Sequence, residues 1–313
     1  MASTLKYRYP NSEIVEKSGQ FVSYDGQVGF LISDFSGKNT FVFEEKEEIS
    51  QLHFRDVAPI VILQHDYLSS AESFLNEIKS LNLGKAVLSR VKSIPFNHHK
   101  ANDLFVALCE KYPSAFVYFL SDEALGTWIG ASPEVLLQAN EDRIQTMALA
   151  GTLPSNSSAS WTTKEELEQA LVTDYIKDIL TKNKVKDLKI SERFEKSAGP
   201  VKHLCNEISF SKVGIDLQKI AFLLHPTPAV SGLPKSEAME LIARHETHDR
   251  SLYAGIIGIQ DNLYVNLRCC EIQENTAYLY LGGGFTAQSD VQKEWEETEN
   301  KSKTLISVIN TIH

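Results

Sequence analysis

The chain has 313 residues, 42% hydrophobic and 23% charged, enough to bury a sizeable core and unlike a fibrous or disordered polypeptide. Its net charge of −10 repels nucleic acid and anionic membrane, so an anionic ligand must be held by a local cationic pocket. The opening MASTLKYRYPNSE lacks a signal peptide's apolar core, and no apolar run approaches the ~18 residues a membrane span needs, which predicts a cytoplasmic protein with neither kind of partner.

In chain order, residues 21–43 alternate apolar and polar around Asp25-Gly26, a hairpin signal. Apolar residues at helical spacing mark 71–81 and 101–111, and strand-like runs occupy 85–94, 115–120 and 127–129. Residues 134–148 read as a strand pair turning at Asn140-Glu141-Asp142. A long helix follows over 163–182, then strands over 251–259, 263–272 and 276–281, and a last helix over 290–312. The best loop candidate, 155–160, is too short for a domain linker. Residues 1–313 therefore form one mixed α/β (α+β) domain rich in antiparallel sheet. Cys109, Cys205, Cys269 and Cys270 have no CxxC spacing and read as reduced thiols.

Glu165 and Glu168 share a helical stripe with Val172, Tyr175 and Ile179, while Glu294, Glu297 and Lys301 share one with Leu305, Val308 and Ile312. Two readings stand. Acids in first turns favour the helix dipole and stay solvated, or two acid pairs from two helices form an all-oxygen site for a hard cation. Gly282-Gly283-Gly284 is either an amide cradle for an anion or a tight turn or bulge, and it matches no Walker or dinucleotide fingerprint. His245-Glu246-Thr247-His248 is one residue short of HExxH and reads as surface polarity, as does His98-His99. Lys85 and Arg90 fall on opposite faces of their strand. Lys85 is either solvated or, if buried, a candidate general base.

Seven segments occur together: KAVLSR from Lys85, IGASPE ending at Glu134, ALAGT ending at Thr152, HPTPAVSGLP from His225, DRSLYAG from Asp249, VNLR ending at Arg268, and residues 282–301. In content and order they resemble the chorismate-utilising enzymes, in particular the isochorismate synthases, over about residues 80–310. The resemblance implies the anthranilate and aminodeoxychorismate synthase-like fold: two large, mainly antiparallel sheets packed as a layered core, flanked by helices. The part before about residue 80 is shortened.

Carried over by residue, the resemblance implies that Glu168 and Glu297 bind Mg²⁺, with Glu165 and Glu294 nearby, and that the metal clamps the ring carboxylate of chorismate. Lys301 and the amides of Gly282, Gly283 and Gly284 hold substrate carboxylates. Arg268 and Tyr253 receive the enolpyruvyl carboxylate, while His203, Gly151, Thr152 and Ala229 complete the pocket. Water adds at C2 as the C4 hydroxyl leaves, with Lys85 as base and Glu134 as acid, so Lys85 must be neutral and Glu134 protonated near neutral pH.

Lys85, Ala150 and Ala229 favour water over ammonia as nucleophile. This implies isochorismate synthase, for menaquinone or siderophore biosynthesis, ahead of a salicylate synthase or an ammonia-using relative. No amidotransferase partner is required, and a monomer is expected. Two departures stand out: Gln169 replaces the usual His after Glu168, and Gly-Gly-Gly-Phe-Thr replaces Gly-Ala-Gly-Ile-Val.

Overall fold

The computed structural model describes residues 2–46 and 51–312. Four strands, β1 (Ser3–Arg8), β2 (Val15–Ser23), β3 (Phe30–Ser33) and β4 (Thr40–Glu45), precede α1 (Gln64–Ser80), β5 (Lys85–Pro95) and α2 (Ala101–Lys111). Then come β6 (Phe116–Asp122), β7 (Gly126–Ser132), β8 (Val135–Ala139), β9 (Arg143–Pro154) and α3 (Thr163–Lys182). After α3 follow β10 (Lys189–Ile190), β11 (Phe194–Ala198), β12 (Val201–Ser211), α4 (Leu217–Leu224), β13 (Gly232–Leu233) and α5 (Lys235–His245). The chain closes with β14 (Ile256–Ile259), β15 (Asn262–Val265), β16 (Cys269–Gln273), β17 (Thr276–Phe285) and α6 (Val291–Ile309).

All strand pairings among the described residues are antiparallel. One half of the ladder runs β13, β5, β17, β16, β7, β6, β1. It continues through β2, β4, β3, β14, β15, β8, β9 and β12. The two expected sheets are thus joined by hydrogen bonds between β1 and β2.

The two halves pack face to face because strand residues alternate sides. Phe116, Tyr118 and Leu120 of β6 face Phe30 and Tyr264 of the other half, and Phe116 stacks on Tyr264 with ring centroids 4.7 Å apart. The intervening Val117 and Phe119 pack beneath Leu104, Phe105 and Leu108 of α2 and Leu305 and Val308 of α6. With both faces covered, every residue of β6 is buried, and each such Leu or Phe contributes roughly 1.5–3 kcal/mol. α3 packs on β9 and β12, seating Val172, Ile176 and Leu180 in the core that holds Ile144 and Phe210. Among the described residues no helix is long and apolar enough to cross a membrane, and all four thiols are buried and unpaired.

Three sequence expectations are corrected. Asp25-Gly26 does not close a hairpin: β2 and β3 both pair with β4, and the chain reverses between β3 and β4, where Asp34 accepts hydrogen bonds from Ser36 and Asn39 and Gly37 takes φ +72°. The strand expected over 263–272 is two strands, β15 and β16, separated at Asn266–Arg268, where Arg268 takes φ +51°. The 245–248 segment, expected to be solvated, holds a buried network: Ser89 Oγ lies 2.8 Å from His248 Nε2, and Glu246 accepts from the Ser89 amide and the Arg250 guanidinium.

Candidate active site

β5 and β17 of one half of the ladder, with α6 on β17, meet α3, which packs on β9 and β12 of the other half. Lys85, the first residue of β5, is buried, and its Nζ lies 2.8 Å from Glu168 Oε1 on α3. Arg90 turns elsewhere, its guanidinium 3.8 Å above the Trp295 ring and bonded to Thr298 and Glu299 of α6. The glycine run is neither a loop nor a turn. Gly282, Gly283 and Gly284 lie within β17, opposite Ser89, Leu88 and Val87 of β5. Their missing side chains make room: a Cβ at Gly284 would stand 2.6 Å from Glu168 Oε1, and one at Gly282 would stand 2.8 Å from the Tyr253 hydroxyl.

A bulge shapes the opposite wall. Leu153 of β9 pairs with Lys202 of β12, but Ala150 pairs with Leu204, so Gly151 and Thr152 together oppose His203. Gly151 has φ +67°, the left-handed geometry that glycine adopts freely in such a bulge. His203 Nδ1 lies 2.8 Å from the Gly151 carbonyl, which only accepts, so Nδ1 carries the proton and Nε2 accepts from Arg268 Nη2 at 3.3 Å. Burial, with Arg268 and Lys301 nearby, pushes the His203 pKa down to about 3, so the ring is neutral. Arg268 is buried, forms no ion pair among the described residues, and its Nε has no hydrogen-bond partner. A desolvated guanidinium left this way calls for an anion.

Glu134 also faces this space. Burial pushes its carboxyl up to about 7, against the pull of Lys85, Arg268 and Lys301, and it forms no ion pair among the described residues. Lys301 on α6 donates to the Gly282 carbonyl at 2.8 Å and to Glu297 at 2.6 Å. Burial works against the Glu297 carboxylate, but Lys301 outweighs it and holds the pKa below the usual range.

The acids of the two helix rows are gathered but not equivalent. Glu168 and Glu294 are buried. Glu165 is partly exposed and turns back to cap its own helix, accepting from the Thr162 amide. Among the described residues no three His, Cys, Asp or Glu side chains stand as a ready metal cluster. Instead, each inward acid faces a lysine: Lys85 at Glu168, Lys301 at Glu297, and Lys164 at Glu294, with Nζ 2.6 Å from Oε1. The donors nonetheless fit a hard divalent cation, because they are carboxylate oxygens and Glu294 Oε2 is buried without a hydrogen-bond partner.

Lys85, Glu134, Glu168, His203, Arg268 and Lys301 line one inner cavity. Tyr253, Gly151, Thr152, Ala229, Gly282, Gly284 and Glu297 line it too. Thr152 and Glu297 also border an outer cleft of about 580 Å³, where Glu165 and Glu294 lie. Gly283 sits behind Glu294. Lys164, in the first turn of α3, escaped sequence reasoning; its place beside Glu165 was the available signal.

A family profile described as chorismate binding enzyme matches residues 38–310. The isochorismate synthase MenF of Pasteurella multocida is 31% identical over 79% of this chain and 62% of its own length. The isochorismate synthase EntC of Escherichia coli K12 is 29% identical over 72% of this chain and 62% of its own. The chain thus spans about three fifths of the length of these curated relatives. The solved structure of MenF, the menaquinone-specific isochorismate synthase of Escherichia coli, has a TM-score of 0.81 at 20% identity, over 98% of this chain and 88% of that one.

Proposed function

The chain belongs to the chorismate-binding enzyme family, and on that premise we propose that it is an isochorismate synthase, converting chorismate to isochorismate with water as nucleophile. The observation that carries this reading is Arg268: a buried guanidinium without an anionic partner, opening on the cavity that also holds Lys85 and Glu134.

Chorismate carries two carboxylates. Arg268, held by neutral His203, would take the enolpyruvyl carboxylate with the Tyr253 hydroxyl beside it. Lys301 would face the ring carboxylate. Glu168 and Glu297 would hold Mg²⁺ with Glu294 at their side, and the bound metal would supply charge neutralisation for that carboxylate. Lys85 Nζ takes a proton from the water that bonds to C2. The ring double bonds shift, the C4–O bond breaks, and Glu134 protonates the departing oxygen as water. One water enters and one leaves, so the product is an isomer, and proton return from Lys85 to Glu134 resets the site. Ala150 and Ala229 at the cavity wall leave room for water and provide no rival nucleophile, so no ammonia-supplying partner is needed.

The test is chromatography of chorismate incubated with purified protein and Mg²⁺, with and without EDTA or added ammonium. Isochorismate that forms only with free Mg²⁺, at a rate ammonium leaves unchanged, supports the reading. Salicylate with pyruvate, an aminated product, or unchanged chorismate would each overturn it.

A further inference from the structure

Lys164 belongs to none of the segments that carry the family resemblance, yet it stands where the acids meet. Its Nζ lies 2.6 Å from Glu294 Oε1, with the Glu294 side chain only 2% exposed and that of Lys164 21% exposed. The Lys164 ammonium is thus paired with a buried carboxylate of the acid cluster.

Lys164 differs from the other two lysines of the site. Lys85 and Lys301 line the inner cavity, and Lys301 is also anchored on the Gly282 carbonyl. Among the described residues the only hydrogen bond from the Lys164 ammonium runs to Glu294, and its side chain borders the outer cleft of about 580 Å³. A long, flexible side chain with one partner and an open cleft beside it can leave the acids for water without moving the backbone.

We propose that Lys164 is a tethered counter-cation: it occupies the acid cluster in the metal-free protein and must swing into the outer cleft before Mg²⁺ can bind Glu168 and Glu297. This rests on the Mg²⁺ reading above. The lysine then has two opposed effects. It relieves repulsion among Glu168, Glu294 and Glu297 when no metal is present, and it weakens metal binding by having to be displaced.

Calorimetric titration of the metal-free protein with Mg²⁺ reads this directly. Lys164→Met should bind Mg²⁺ about tenfold tighter than wild type, melt at a lower temperature without metal, and gain more in melting temperature when Mg²⁺ is added. Lys164→Arg keeps the cation and should stay near wild type. Equal or weaker binding by Lys164→Met, with wild type binding normally, overturns the inference and leaves the metal reading intact. If wild type binds no Mg²⁺, both fail. Should Lys164→Met not fold, wild type supplies the answer: amine-reactive labelling of Lys164, read by peptide mass spectrometry, should rise on saturation with Mg²⁺, and unchanged labelling overturns the inference.

Discussion

The Lys85 ammonium lies 2.8 Å from a Glu168 carboxylate oxygen, so the group proposed to move a proton and one proposed to hold the cation are in direct contact. A cation on Glu168 would leave Lys85 free to face water at the substrate ring. Lys85→Ala should lower kcat by about 10²–10⁴-fold, and Lys85→Arg should not restore it, because a guanidinium does not release its proton. Turnover at saturating chorismate is the measurement; near-normal kcat in Lys85→Ala would remove Lys85 from the chemistry.

Glu134 must be protonated to act as the acid, and burial lifts its pKa from 4.5 to about 7. In the free enzyme kcat/KM should therefore fall as pH rises through about 7, and Glu134→Gln should abolish that limb along with most of the activity. The stability effect has a definite sign. Between pH 4.5 and about 7 the folded state binds more protons than the unfolded one, so this contribution is complete below that window and lost across it, on the order of 3 kcal/mol. Denaturant midpoints of Glu134→Gln should decline less than wild type over the same range. Parallel declines would show that Glu134 titrates normally.

Arg268→Lys removes the planar fork from the only anion-seeking guanidinium among the described cavity-lining residues and should cost roughly 10²-fold in kcat/KM. His203→Ala should raise KM more than it lowers kcat, since the ring positions Arg268. By NMR, His203 should stay neutral, with its proton on Nδ1, throughout pH 5–8, because its pKa is held near 3. A titration at the ordinary histidine value would mean that the Arg268 contact is not maintained in solution.

A Cβ at Gly284 would lie 2.6 Å from Glu168 Oε1 and 2.9 Å from Lys85 Cε, whereas one at Gly283 would meet only Glu294, at 3.3 Å or more. Gly284→Ala should therefore cost about 10²-fold in turnover by displacing both groups, and Gly283→Ala considerably less. If the two variants had equal activity, the space at Gly284 would have no bearing on the site.

Much of this was legible in the sequence, and the exceptions share a cause. The helices over 101–111 and 163–182 coincide with α2 and α3, because apolar spacing and end signals are local. β2 pairs with β1 and β4 and not with β3 across Asp25-Gly26, a choice of partner that turn residues alone do not reveal. The run from Leu263 reads as one strand because nothing in Val-Asn-Leu-Arg reveals the φ +51° at Arg268. Glu246 and His248 look solvated until Ser89, distant in sequence, is brought against them. Patterning left the acid rows open between a solvated face and a metal site. Glu168 and Glu294 are buried rather than solvated, while Glu165, as a partly exposed helix cap, keeps part of the first reading.

The bulge opposite His203 gives the site a dependence on chain length as well as on side chains. A strand sorts its residues by odd and even position, and the two-for-one count at Gly151 and Thr152 reverses that parity partway along β9. The consecutive residues Ala150, Gly151 and Thr152 then all reach the same cavity, although strict alternation would divide them between two faces. Deleting one residue there would restore regular pairing, send the strand beyond it to the wrong face, and uncouple His203 from the Gly151 carbonyl. A single-residue insertion or deletion in this stretch of β9 should accordingly damage the pocket more than a conservative side-chain change beside Gly151.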